Sequence, residues 1–80
     1  MKKYAIAYLS LFENENNVFI TQGDDPVSAF KNFCINEMEG GKYRNDKDWA
    51  IWVNNAGSTV DELKGTFINA DIAIDIKEIN

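Results

Sequence analysis

Two rhythms run along this chain, an alternation of period two towards both ends and an apolar stripe of period three to four in between. Residues 3–12 alternate into two apolar rows, with Tyr4, Ile6 and Tyr8 on one side and Ala5, Ala7, Leu9 and Leu11 on the other. A strand apolar on both faces is usually central in its sheet. The Asn-rich stretch Glu13–Asn17 reads as a hairpin loop, and Val18–Gln22 as a second strand of β-branched and aromatic character. Gly23-Asp24-Asp25-Pro26 predicts a helix start: Asp25 caps free backbone N–H groups, and Pro26 suits a first position where no donor is needed. Val27, Phe30, Cys34 and Met38 then share one face, widened by Phe33 and Ile35, until Gly40-Gly41 ends the helix.

The second half is patterned less clearly. Residues 40–48 form a polar connection, Trp49–Val53 is expected as a third strand, and Asn54–Gly57 as a turn. Thr59-Val60-Asp61-Glu62 fits a capping box, so Val60, Leu63 and Phe67 suit a short second helix that Gly65 weakens. In the last strand Ile72, Ile74 and Ile76 face one way while Asp75 and Lys77 face the other. The predicted order is β-β-α-β-α-β. It implies an α+β domain spanning residues 1–80, with a four-stranded, mainly antiparallel sheet and its main helix on one face. The small Ala5/Ala7 row is expected to let that helix approach, which places Tyr4 and Tyr8 on the opposite face.

Composition narrows the chemistry. With 80 residues there is room for one core, and 45% hydrophobic residues argue against disorder. A domain of this size buries only about 60% of the surface its unfolded chain exposes, so it depends on good packing or self-association. The absence of histidine removes Ser–His–Asp and Cys–His catalysis and zinc sites built on imidazole. Cys34 stands alone, so neither an internal disulfide nor a Cys-x-x-Cys redox pair exists, and a reducing compartment is expected. Met1-Lys2-Lys3 followed by the apolar Tyr4–Phe12 imitates a signal peptide, yet Glu13–Asn17 follows with no small-x-small cleavage site. A cytoplasmic strand is therefore expected. A net charge of −5 argues against direct grip on nucleic acid, and no basic amphipathic helix is present to lie on a membrane.

Topology supplies the one candidate site. The helix following the hairpin runs back towards the hairpin tip, which predicts that Glu37 and Glu39 approach Glu13 and Glu15. Glu37 and Glu39 also sit where the helix dipole favours cations, and such broken local rules sometimes mark function. Lys42, Arg44 and Lys47 follow directly and are positioned to neutralise them. The expected partner-binding set is Glu13, Glu15, Glu37, Glu39, Tyr43 and Arg44, facing a basic surface on another protein. Trp49 and Trp52, on a strand, would point to opposite faces; Tyr4, Tyr8 and Trp52 then form an aromatic sheet face suited to a homodimer. Asp24-Asp25 and Asp61-Glu62 read as helix-start residues, and Cys34 as a small buried apolar residue. No cofactor, no metal site and no catalytic residue is expected. A small carboxylate-dependent enzyme would need two acids in one concave pocket.

The passage Thr21-Gln22-Gly23-Asp24-Asp25-Pro26-Val27-Ser28-Ala29-Phe30 resembles the strand-to-helix turn of HicB-type antitoxins, which also has a Gly-Asp turn and an Ala at a similar place. The likeness covers roughly ten residues of generic capping chemistry, and the hairpin lacks the segment that family usually inserts before the turn. In size, acidity and lack of catalytic residues the chain is also similar to small phage or mobile-element inhibitors such as anti-CRISPR proteins. No motif carries that second likeness. Both resemblances imply a compact protein that acts by occupying another protein's surface.

Overall fold

The computed structural model describes residues 1–12 and 14–79. Strands β1 (Lys2–Ser10) and β2 (Glu15–Gly23) form an antiparallel hairpin, followed by helix α1 (Pro26–Asn36) and a single 3₁₀ turn over Met38–Gly41. Helices α2 (Lys47–Asn55) and α3 (Val60–Phe67) come next, and strand β3 (Ile72–Ile79) returns antiparallel to β1. The sheet has the order β2-β1-β3, so β1 is central as its two apolar rows predict.

The expected fourth strand does not exist. The sheet is three-stranded, and Trp49–Val53 lies within α2, giving three helices among the described residues. The local reason is a cap: the Asp46 carboxylate accepts from the Trp49 N–H at 3.0 Å and fixes a helical first turn. Trp49, Val53 and Ala56 then recur at helical spacing and face the core together, with the half-exposed Trp52 edge-on to Trp49.

Helix α1 starts as predicted. Asp25 Oδ1 accepts from the Ser28 N–H at 2.8 Å, the Ser28 hydroxyl closes a reciprocal box, and Pro26 occupies the first turn. Its first turn lies so close to the end of β2 that a Cβ on Gly23 would stand 2.5 Å from the Ala29 nitrogen. Gly23 and the fully buried Ala29 are thus a packing pair. The helix ends at Asn36, before Met38 and earlier than the Gly pair predicts. Glu39, Gly40 and Gly41 take left-handed backbone conformations, and the Arg44 guanidinium donates two bonds to the Asn36 carbonyl at 3.2 and 3.1 Å. Helix α3 forms on the predicted cap, with the Thr59 hydroxyl accepting from the Glu62 N–H at 3.2 Å.

All three helices contribute to a core on one face of the sheet. Ile6, Phe30, Phe33, Cys34, Val53 and Leu63 form its centre, and Tyr4 is buried beside them. The face expectation is therefore reversed: Tyr4, Ile6 and Tyr8 look towards α1, while Ala5, Ala7 and Leu9 look away. Large side chains fill the space between helix and strand, where alanines would leave voids.

Candidate functional site

Concave regions among the described residues lie at different edges and faces of the sheet. A furrow lies on the uncovered face, where the small Ala7 sits between Val18 on β2 and Asp75 on β3, with Ala73 further along β3. A groove runs between the outer edge of β2 and α1, lined by Ile20, Thr21, Gln22, Asn32, Asn36 and Glu37. The third region, a recess of about 170 Å³, collects the acidic residues.

That recess lies where the start of β2, the end of α1 and the approach to β3 meet. Glu15, Glu37, Glu39 and Asp71 line it, together with the apolar or aromatic Tyr8, Phe19, Phe33, Met38, Phe67, Ile68 and Ile72. The predicted convergence of Glu15, Glu37 and Glu39 is therefore present, while Glu13 lies outside the described residues. Asp71 was not foreseen. It sits directly before β3 and opposite Leu11 in the continuation of the β1–β3 pairing, and only the partner of the last strand makes that neighbourhood visible.

Two of the basic residues expected to neutralise these acids, Arg44 and Lys42, are engaged elsewhere. Arg44 is committed to the end of α1, and Lys42 Nζ lies 5.4 Å from the centre of the Tyr43 ring. Among the described residues the one ion pair joins Lys2 and Glu78 at 3.8 Å, in the sheet and away from the recess. Glu15 accepts from the Asn17 side-chain amide at 2.7 Å. Interaction with the Glu39 carboxylate, then partial burial and the charge of Asp46, hold the Tyr43 phenol above its usual pKa. Of the predicted binding set, Tyr43 thus supports Glu39 and Arg44 supports the helix end.

The predicted aromatic sheet face is replaced by an aromatic cluster on the helical side. Tyr43 stacks on Trp49 at 3.9 Å, Trp49 meets Trp52 edge-on at 5.1 Å, and both tryptophans contact Phe67. The Trp49 indole N–H donates to the Cys34 carbonyl at 3.0 Å, and Trp52 remains half exposed. Burial pushes the Cys34 thiol up to about 12, so it stays protonated at neutral pH and behaves as a core atom. Phe67 links this cluster to the acidic recess, since it lines both.

Comparison of the chain with protein-family models, with curated proteins and with solved structures finds no match in any of the three. No helix among the described residues is long and apolar enough to cross a membrane.

Proposed function

We propose that this chain is a non-enzymatic protein-binding domain whose acidic recess receives a basic segment of another protein. The observation that carries this reading is that Glu15, Glu37, Glu39 and Asp71 line one recess together with apolar and aromatic side chains such as Phe19, Phe33 and Phe67, with no ion pair to these acids among the described residues. A lysine or arginine matches such a site in both parts, because its aliphatic stem packs on apolar surface while its head meets the carboxylates. At about 30 Å³ per water molecule, the recess of about 170 Å³ has room for one such side chain. The net charge of −5 adds long-range attraction that speeds encounter with a basic surface.

A surface of this kind suits an inhibitor that covers a nucleic-acid-binding patch on its target, the role that the resemblance to mobile-element inhibitors implies. The single thiol, Cys34, accords with action in the cytoplasm.

The test is affinity capture from the source cell with the native chain and with a variant carrying Glu15→Lys, Glu37→Lys and Glu39→Lys. Lysines at 37 and 39 favour the negative end of α1, so circular dichroism is expected to stay native. The captured protein, once purified, is expected to bind the native chain with an affinity that falls as salt rises, and to bind the variant at least about tenfold more weakly. Equal affinity for both chains would remove the recess as the binding site.

A further inference from the structure

The two outer edges of the sheet are built differently. In the β1–β3 ladder the Leu11 N–H donates to the directly opposite Asp71 carbonyl, in the same register as the rest of the pairing. Hydrogen-bonded pairs alternate along an antiparallel ladder. The odd residues of β1 therefore bond to β3, its even residues bond to β2, and the even residues of both outer strands turn their backbone groups outward. Two contacts agree with this parity: Asn32 Nδ2 donates to the Gln22 carbonyl at 2.6 Å, and Asp75 Oδ1 accepts from the Ile76 N–H at 3.0 Å.

On β3 the outward donor of Ile76 is thus covered by its neighbour's carboxylate, with Lys77 and Glu78 beside it. Charged and self-covered edges of this kind resist pairing with another strand. On β2, by contrast, Asn16, Val18, Ile20 and Gln22 carry no charge and no proline, and the register runs without a bulge. Val18 and Ile20 are 68% and 57% exposed, and both have outward-facing N–H and C=O groups.

From these observations we infer that the β2 edge pairs with β2 of a second copy of this chain, antiparallel and centred on Phe19. The occupant follows from the order of residues. Asn16-Asn17-Val18-Phe19-Ile20-Thr21-Gln22 reads the same in polarity from either end, as a strand that pairs with itself about a two-fold axis must. Val18 then lies opposite Ile20 of the second copy, Phe19 opposite Phe19, and Asn16 opposite Gln22. Even residues meet even residues, so the outward groups of Val18 and Ile20 fall into hydrogen-bonded pairs and form about four bonds between chains. Thr21 lies opposite Asn17 of the second copy. No like charges oppose one another between residues 16 and 22. The product is a continuous six-stranded sheet, β3-β1-β2-β2-β1-β3.

Sedimentation equilibrium of the full chain, up to concentrations on the order of hundreds of micromolar, tests this by mass action. The expected species has twice the 9.1 kDa mass of the chain. The double variant Val18→Lys, Ile20→Lys sets lysines opposite each other and is expected to be monomeric with a native circular dichroism spectrum. Val18→Pro removes one outward N–H while leaving the β1 ladder intact, and is expected to weaken the dimer on the order of tenfold or more. Ala7→Lys, on the uncovered face of the central strand, is expected to leave the dimer unchanged. A monomeric native chain at every concentration would overturn the inference. So would a dimer that survives Val18→Lys, Ile20→Lys, or one that Ala7→Lys breaks, since the latter would mean stacking through the sheet face.

Discussion

The two faces of β1 are both apolar and differ in size of side chain. Tyr4, Ile6 and Tyr8 look into the core, while Ala5 and Ala7 look the other way, Ala7 over a furrow. Hydrophobicity alone does not distinguish these faces, and side-chain volume does. A helix packed on a sheet leaves a layer that only long side chains fill at the density of a protein interior. The alanine row marks the side with nothing above it. This contrast predicts that equal acts of truncation have very unequal costs on the two sides.

The largest effect is expected at Phe30, fully buried on α1 with its ring 5.8 Å from Phe33. Phe30→Ala should destabilise by about 3–5 kcal/mol, the usual loss of transfer energy plus the residual cavity. A chain of 80 residues has little margin, so denaturant titration is expected to find much of the variant unfolded in water. A cost below about 1 kcal/mol would mean that the inward face is not a packed layer.

Trp49→Phe sharpens the same comparison with one hydrogen bond. The ring remains, but the Cys34 carbonyl loses the indole donor at 3.0 Å. The expected loss is about 1 kcal/mol, the usual net contribution of one partly buried hydrogen bond. Near-ultraviolet circular dichroism should change as the contacts with Tyr43 and Trp52 rearrange.

Much of this covered side was legible in the sequence, and the exceptions have specific causes. The hairpin, the start of α1, the cap of α3 and the last strand follow from residues that act locally: Asp25, Pro26, Thr59, Glu62 and the alternating isoleucines. Helix α2 was not legible, because Trp49–Val53 is a short apolar run rich in strand-forming residues, and five positions do not separate period two from period 3.6. The deciding signals lay outside the run, in Asp46 before it and Ala56 after it. The convergence of Glu15, Glu37 and Glu39 followed from the return of α1 alone. Asp71 joins them through the pairing of β3 with β1, and Tyr43 reaches Glu39 across a left-handed turn; both depend on tertiary structure.

A smaller effect concerns the caps that hold the covering helices. Bonds from Ser28 keep the Asp25 carboxyl below its ordinary 3.8, and bonds from Thr59 and Ser58 keep Glu62 below its ordinary 4.5. Because the folded values are lowered, this stabilisation is present above the unfolded values and is lost as pH falls through the lowered ones. The urea midpoint should therefore decline on acidification below about pH 4.5. Glu62→Gln should flatten part of that decline. At the alkaline end the signs reverse: Cys34 is raised from 9.0 to about 12, so its contribution is present below pH 9 and lost as pH rises towards 12. An acid limb identical in Glu62→Gln would show that the cap bonds of α3 form equally well without the charge.

The smallest effect is expected on the uncovered face, and it is the most direct test of the contrast between the two sides of β1. Ala7 is exposed on the central strand and lies between Val18 on β2 and Asp75 on β3. Ala7→Thr adds a β-branched side chain into the furrow without crossing any packed layer, and threonine favours extended backbone. The expected change lies within about 0.5 kcal/mol of the native chain, in either direction, as for surface substitutions generally. Thermal unfolding at one fixed protein concentration measures it, since any self-association would otherwise shift the midpoint. The same substitution at Ile6, whose side chain is fully enclosed, would bury a hydroxyl and open a cavity together. A loss above about 1 kcal/mol at Ala7 would mean that the furrow is filled in solution, and that the alanine row is itself an interface.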